Sequence, residues 1–432
     1  MSDRLAGRPG PQAAVPPDGL RAQVPAEDGL RNAGRSPGQD AGQDTGQDAG
    51  QDAGQDAGQD TGHDSAEGRR MAAPDTRTSE QAAAGGAVQH TAGTAKVLAV
   101  PKGRTGAARL LLGRDAVMIY VLLVVVIYAC LVIPRFASPV TVGFLLLDVI
   151  PTLLIALPMT LVIISGEIDL SVASIAGLTS ALMGVLWQAG IPIALVLVIC
   201  VLAGLAAGAF NGVLIAYLGL PSLAVTIGTL ALFRGLALVV IGDNAVANFP
   251  PALTAFFTSK IGGTGIPTVM IGVVLLILAF AVVLHVTPFG RGLFALGYSR
   301  EAATFVGIDV ARSKFLLYLA TGTVSALAGI YWTLRYSSAR SDNASGLELA
   351  VIAAVLLGGV SIFGGKGSIP GVLAGVLLIG TINYALKLDR VSEVVLIIVT
   401  GSLLILSVVA PTITDALRRA RHARRVRSAP LP

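Results

Sequence analysis

The residues that bind nucleotide phosphates in many proteins are present in this chain only as an incomplete set. A phosphate-binding loop has the pattern G-x-x-x-x-G-K-[ST], in which backbone N–H groups hold the phosphates and the hydroxyl binds the metal. The nearest match is Gly364-Gly365-Lys366-Gly367. In this match, Val360 replaces the first glycine and Gly367 replaces the hydroxyl residue. We therefore predict that the chain does not hydrolyse nucleotide by itself.

Catalytic and metal-binding sets are not visible in the sequence. The histidines are far apart along the chain, and the cysteines lie in apolar runs without His or acidic neighbours at metal-ligand spacing. Without a grouped acid, base and nucleophile, we predict no catalytic residues and no metal site, and hence a protein that is not an enzyme. The residues concerned are His63, His90, His285, His422, Cys130 and Cys200.

A few polar side chains interrupt the apolar runs. An ionisable group at bilayer depth is costly and is a functional candidate for that reason. The alternative is a structural hydrogen bond at a helix end or between helices. The interrupting residues are Asp148, Asn211, Arg234, Glu348 and Asn383.

Composition decides the class of protein. The chain is 53% hydrophobic and only 13% charged, with a mean hydropathy of +0.74, whereas soluble domains are about 25% charged. These values exclude a water-soluble globule and predict an all-α polytopic membrane protein. The net charge of +5 does not indicate nucleic acid, because the basic residues flank apolar spans and are not interleaved with aromatic residues.

Ten apolar segments are long enough to be considered as membrane spans. The third, fifth and eighth are short or rich in glycine, so we treat them as possible half-helices or re-entrant segments. The ten segments are residues 115–133, 143–164, 170–187, 191–217, 222–241, 268–285, 315–333, 347–363, 369–386 and 392–410.

The two ends of the chain are hydrophilic. Residues 38–64 repeat Gly, Gln, Asp and a small residue, a composition that cannot form a core, so we predict that residues 1–110 are a disordered cytoplasmic tail. The first hundred residues lack a signal peptide's apolar core after a basic start. We predict a transmembrane domain at residues 111–411 and a basic cytoplasmic tail at residues 412–432.

The distribution of basic residues predicts the topology. With the N-terminus inside and ten spans, fifteen Lys and Arg residues near the spans fall inside and six fall outside. The positive-inside rule therefore predicts that both termini are cytoplasmic.

A polar loop at residues 286–314 should then also be cytoplasmic. Within it, Ser299 can cap a short helix that has Glu301 in its first turn. This helix should expose an apolar face to a partner protein or, alternatively, to lipid headgroups. The face consists of Ala302, Ala303, Phe305 and Val306.

The sequence at this loop resembles a known family. Glu301-Ala302-Ala303 with Gly307 is similar to the EAA-x-x-x-G signature of permease subunits of bacterial ATP-binding-cassette (ABC) importers, although the later part of the signature is degraded to Leu317-Tyr318-Leu319-Ala320. Four further stretches resemble permeases for ribose, xylose, arabinose and galactose, and together they cover residues 115–411. They are SGEIDLSV from Ser165, PSLAVTIGTLALFRGLALVV from Pro221, TPFGRGLFALG from Thr287 and the stretch from Leu347 that includes LLGGVSIFGGKGSIPG.

This resemblance implies an import system with several subunits. The chain would form the translocation pathway with a second permease, identical or different, in the bacterial cytoplasmic membrane. A separate ATPase would bind ATP and Mg, and an extracytoplasmic binding protein would deliver a monosaccharide. The stretches GEIDLSVAS and LRYSSARSDN are similar to permeases assigned to rhamnose, and ribose is also compatible.

The resemblance also implies roles for particular residues. The ATPase-coupling set is Arg291, Glu301, Ala302, Ala303 and Gly307. The set for the translocation pathway or gate is Glu167, Asp169, Asn211, Arg234 and Glu348.

Two other functions and one local ambiguity are left open by the residues. An ion-coupled secondary transporter would use carboxylates and unwound helices near the midplane. A membrane scaffold or lipid-handling protein would lack the docking loop. Asp169 can cap the third span by accepting N–H bonds, or it can contact a sugar hydroxyl or the ATPase.

Overall fold

The computed structural model describes residues 114–262 and 264–427, and within them the regular structure is helical. The predicted tail at residues 1–110 and its repeat lie outside the described residues. The helices are α1 (Arg114–Val132), α2 (Pro139–Ile164), α3 (Val172–Gln188), α4 (Ile193–Gly212), α5 (Ser222–Ile241), α6 (Pro251–Thr258), α7 (Met270–His285), α8 (Pro288–Tyr298), α9 (Arg300–Phe305), α10 (Val310–Tyr336), α11 (Leu347–Leu357), α12 (Ile369–Leu388) and α13 (Glu393–Arg427). A π-helical turn, Val213–Tyr217, continues α4.

The helices agree with the predicted all-α membrane fold. In the described residues six helices are long and apolar enough to cross a bilayer, namely α1, α2, α4 with its π-helical turn, α5, α10 and α12. The pair α7 and α8 is bent by 63°, and shorter apolar helices are α3, α11 and the first part of α13. Each predicted segment overlaps one of these helices. The doubt about the fifth segment was wrong, because α5 is a continuous helix of 20 residues.

The loops are grouped at two ends of the bundle. At one end, Gly365 N donates to Ile164 O at 2.8 Å, which joins the loop at residues 358–368 to the end of α2. At the other end, Val246 and Ala339 exchange backbone hydrogen bonds of 2.8 and 3.0 Å. We call the first the inner end and the second the outer end, following the side that the charge distribution predicts for each.

Glycines bring α4 and α10 into backbone contact. A Cβ atom added to Gly204 would lie less than 3.0 Å from the backbone of Gly322, and one added to Gly208 would be as close to the Tyr318 carbonyl. Small residues at such crossings allow membrane helices to approach closely when lipid provides no hydrophobic driving force. The two helices are therefore packed as a unit.

The helices α2 and α11 form much of the buried core. Most of α2 is buried, including every residue from Leu153 to Ile164. The helix α11 has only 11 residues, about 16 Å at 1.5 Å per residue, which is roughly half of the hydrocarbon thickness. It packs against α2, α12 and α13, so protein covers the irregular backbone that follows it.

Candidate functional site

The predicted coupling loop contains two short helices, α8 and α9, at the inner end. Its first residues turn the chain sharply after α7. The Thr287 hydroxyl accepts from Gly290 N at 3.2 Å and donates to the Val283 carbonyl at 2.6 Å. Arg291, which lies on α8, donates from Nη1 to the Val286 carbonyl at 3.0 Å. These bonds fix the bend between α7 and α8.

The far end of α8 is seated against the bundle at Gly297. A Cβ atom at this position would lie well under 3.0 Å from Ile164 O and Gly365 N, and 3.1 Å from Gly365 Cα. These are backbone atoms, which cannot rotate away as a side chain can. The seat therefore couples the position of α8 to the end of α2 and to the loop at residues 358–368.

The helix α9 begins at the predicted cap. Ser299 Oγ accepts from Ala302 N at 3.2 Å and donates to Glu301 Oε2 at 2.9 Å. Hydrogen bonds from the backbone N–H of Glu301 and from Ser299 hold the pKa of the Glu301 carboxyl below its usual value. Glu301 is therefore ionised at neutral pH, and its charge suits the N-terminus of α9.

The apolar face predicted for α9 is only partly exposed. Ala303 is buried, contrary to the prediction, and its carbonyl accepts from Ile308 N at 3.0 Å, because the chain turns back over it towards α10. Phe305 and Val306 are 91% and 73% exposed. Gly307 has φ +83° and open space around its Cα. The exposed tip of the coupling loop thus consists of two large apolar side chains and a glycine turn.

A buried polar cluster surrounds Asp169, in the segment between α2 and α3 at the inner end. Oδ1 accepts from Ser171 N at 3.0 Å and from Ser171 Oγ at 2.6 Å, and Oδ2 accepts from Thr321 Oγ1 at 2.7 Å. Asn211 Nδ2 donates to Ser171 Oγ at 2.8 Å. The N-cap residue of α3 is Ser171, so Asp169 binds the N–H of the capping residue and not an N–H within the helix. Through Ser171 and Thr321 it ties α3 to α4 and α10.

The neighbouring acidic residue, Glu167, forms a different interaction. Its carboxylate pairs with Lys314 Nζ, and both side chains are largely buried. Lys314 belongs to the first turns of α10, directly after the coupling loop. The two carboxylates of the GEIDLS stretch thus have separate partners. Removal of Glu167 or Lys314 would leave the other member of this ion pair buried and uncompensated.

The other two predicted pathway residues, Arg234 and Glu348, lie in the outer half of the bundle. Arg234 Nη1 donates to the carbonyls of Ser341 and Asn343 at 2.6 and 2.9 Å, and Nη2 donates to the Ala173 carbonyl at 3.4 Å. This geometry braces the loop before α11 against α3 and α5. Glu348 interacts electrostatically with Arg234, and its Oε2 is buried without a hydrogen-bond partner in the described part of the chain. The structure therefore divides the predicted pathway set into an inner and an outer group.

Comparison with known proteins now gives the family. Residues 141–408 match the family described as branched-chain amino acid transport system / permease component. This range begins in the first turn of α2, ends within α13 and includes both polar groups and the coupling loop. The chain belongs to this permease family.

Several relatives of this permease have a more specific name. The autoinducer 2 import system permease protein LsrD of Photorhabdus laumondii is 38% identical over 284 residues, which are 63% of this chain and 85% of the relative. Proteins of the same name from Yersinia pseudotuberculosis and Yersinia pestis are 38% and 37% identical over 267 residues, 60% of this chain and 80% of each relative. No solved structure matches the permease significantly.

Some polar partners in the permease could not be found from its sequence. Thr321 binds Asp169 and Lys314 pairs with Glu167, although both partners lie far along the chain from these carboxylates. Threonine and lysine are also common in helices, so their residue types give no signal. Asp148 interrupts an apolar run and is a candidate for that reason, but its partners, Arg335 and Lys387, follow 187 or more residues later. In the described residues, no three His, Cys, Asp or Glu side chains lie close enough together to hold a metal ion.

Proposed function

We propose that the chain forms the translocation pathway of an ATP-driven importer for a small sugar-like substrate, a monosaccharide such as ribose or rhamnose. The family describes it as a permease component of a transport system. The observation that carries the ATP-driven part of the proposal is the coupling loop. An exposed apolar tip at residues 305–307 lies at the end of α9. This helix directly follows α8, which is seated on the bundle at Gly297.

The tip has the properties of a docking surface for another protein. Large apolar side chains that are surrounded by polar residues mark interaction sites, and the neighbouring residues here include Arg300, Glu301 and Asp309. A force on the tip would pass through α9 and α8 to the Gly297 contact. From there it would reach the end of α2 and the Asp169 cluster. This is the connection that an external ATPase requires.

The glycine-rich loop at residues 364–367 supports a separate subunit for ATP hydrolysis. The sequence Gly364-Gly365-Lys366-Gly367 lies in the loop between α11 and α12. Within it, Gly365 N already donates a hydrogen bond to the Ile164 carbonyl. The loop is therefore part of the helix packing and does not form a cradle for phosphates. We propose that ATP and Mg bind only to the partner ATPase.

The remaining partners and the orientation follow the resemblance of the sequence. A second permease chain, identical or different, would complete the pathway, and a binding protein outside the cytoplasm would deliver the substrate. Both termini would be cytoplasmic, as the excess of basic residues on that side supports. Autoinducer 2, the cargo in the relatives' names, is a further candidate substrate.

An ion-coupled secondary transporter has less support. That mechanism needs a carboxylate that is free to bind and release a coupling ion near the midplane. Asp169 accepts hydrogen bonds from Ser171 and Thr321 on both of its oxygens, and Glu167 is paired with Lys314. Both carboxylates lie at the inner end and serve as links between helices.

Uptake into membrane vesicles tests the proposal. Right-side-out vesicles with the permease, its ATPase and its binding protein should accumulate labelled D-ribose or L-rhamnose only when ATP is present inside. Collapse of the ion gradients with ionophores should leave this uptake intact. Uptake that ionophores abolish, and that does not need the ATPase, would contradict the proposal and support the secondary transporter.

A further inference from the structure

A small polar cavity lies between α2, α11 and α12 in the outer half of the bundle. Its volume is about 90 Å³, several times the 10–15 Å³ that one water molecule needs. It can hold one edge of a small ligand but not a whole sugar. The lining residues are Asp148, Val149, Thr152, Ala350, Val376, Ile379, Gly380, Asn383, Tyr384 and Lys387.

The carboxylate of Asp148 has charged neighbours but no close hydrogen bond. Arg335 Nη2 and Lys387 Nζ each lie 3.8 Å from its oxygens, and Tyr336 OH lies 3.4 Å from Oδ1. A charge-assisted hydrogen bond is normally 2.7–2.9 Å long. The negative charge of Asp148 is thus more than neutralised by two cations, while its lone pairs stay available to a donor in the cavity.

Two neighbouring polar atoms have no hydrogen-bond partner among the described residues. They are Asn383 Oδ1 and Arg335 Nε, and both are buried. Asn383 Nδ2 has a long bond of 3.4 Å to Thr400 Oγ1. A buried polar atom without a partner is costly, so such atoms usually have a role or a bound molecule that satisfies them.

We propose that this cavity, which we call the Asp148 cavity, binds adjacent hydroxyl groups of the substrate during translocation. A hydroxyl group both donates and accepts. One hydroxyl can therefore donate to Asp148 or to Asn383 Oδ1, while its neighbour accepts from Lys387. The apolar wall formed by Val149, Val376 and Ile379 suits the C–H face of a sugar ring.

The charges around the cavity favour a neutral polyol over an amino acid. The carboxylate of a zwitterion would be attracted to Arg335 and Lys387, but its ammonium group would be repelled by these same two cations beside Asp148. A neutral polyol avoids this repulsion and can use the neutral polar side chains of Thr152, Asn383 and Tyr384. The assignment rests on the proposed function, since the polyol is taken to be the imported substrate.

Direct binding to the purified full-length permease in nanodiscs tests this site without the binding protein. The probes are D-ribose, L-rhamnose and L-leucine, titrated in saturation-transfer NMR. The variants are Asp148→Asn, Asn383→Leu and Lys387→Met, of which the last changes a half-exposed side chain and does not threaten folding. The matched controls are Asp342→Asn and Asn244→Leu, which alter the same residue types elsewhere at the outer end.

We expect the wild type and both controls to bind at least one of the sugars, and each cavity variant to raise the half-saturating concentration about tenfold, as for the loss of one charge-assisted hydrogen bond. Sugar binding that is equal in wild type and cavity variants would overturn the assignment, and so would L-leucine displacing the sugar.

Vesicle uptake distinguishes a failure of the proposed importer function from a failure of the Asp148 cavity assignment. If the wild-type system accumulates neither of the two sugars nor autoinducer 2 with ATP, the proposed function fails. If it accumulates a sugar but the wild-type permease shows no sugar binding, or the cavity variants transport at the wild-type rate, only the Asp148 cavity assignment fails.

Discussion

Replacing Gly297 with alanine adds one methyl group at the contact between α8 and the end of α2. The new Cβ atom would lie under 3.0 Å from Ile164 O and Gly365 N. These two atoms bond to each other at 2.8 Å, so neither can retreat without breaking that bond. We expect α8 to be displaced from its seat.

The size of the effect follows from two opposing contributions. Overpacking of a close contact costs about 1–3 kcal/mol, and alanine regains about 1 kcal/mol of helix propensity over glycine. The net loss is about 0–2 kcal/mol. We expect the upper part of this range, because the new Cβ atom would lie well under 3.0 Å from two backbone atoms. In a coupled equilibrium about 1.4 kcal/mol changes the ratio of states tenfold, so we expect ATP-dependent uptake to fall roughly tenfold at normal membrane abundance.

Gly292 offers a matched control in the same helix. Its Cβ atom would meet only Ile308 side-chain carbons, at 3.7–3.9 Å, which is ordinary contact. Gly292→Ala should therefore keep uptake and should not lower the midpoint of thermal unfolding. Uptake rates and unfolding midpoints that are the same for Gly297→Ala and Gly292→Ala would refute the idea that the Gly297 seat transmits motion.

Three further predictions concern the coupling loop, the inner cluster and the N-terminal tail. Glu301→Trp on the exposed α9 should leave membrane insertion intact and abolish uptake together with co-purification of the ATPase; a variant that keeps both would count against ATPase docking there. Asp169→Asn should keep most uptake because an Asn oxygen still accepts from Ser171. Asp169→Leu should lose uptake and membrane abundance because Ser171 and Thr321 lose their acceptor. An Asn variant that is inserted but inactive would instead indicate a charge used in transport. Deletion of residues 1–95 should leave uptake nearly unchanged at equal abundance, and a clear loss of transport would show that the tail contributes to activity.

The positions of the spans could be predicted because hydropathy is a local property. The predicted ends of the spans were less accurate where the helix ends and the apolar stretch ends at different residues. The eighth segment was predicted to reach residue 363, but α11 ends at Leu357, because the apolar stretch after it turns through Gly359 and Gly364 at positive φ. The helix α10 starts at Val310, before the predicted residue 315, since the charges of Arg312 and Lys314 lower hydropathy without preventing a helix.

The candidate site could be predicted only where its signal is local. The Ser299 cap and the acidic first turn of α9 depend on residues within one helical turn, and the structure contains both. The partners of Asp169 and Asp148 cannot be predicted from neighbouring residues in the sequence. Thr321 lies 152 residues after Asp169, and the contact depends on how α3, α4 and α10 cross. The buried state of Ala303 likewise depends on the path of the chain beyond α9.

The shortness of α11 has a consequence for the order in which the protein is made. A helix of 11 residues cannot cross the bilayer alone, and the glycine-rich stretch after it exposes backbone polar groups to lipid unless protein covers them. Part of that cover is α13, which leaves the ribosome after α11 and α12. Until α13 is inserted, α11 and α12 form a hairpin in the membrane whose backbone polar groups are incompletely covered by protein. Nascent chains that stop before α13 should therefore be recognised by membrane proteases, while chains that include it should mature.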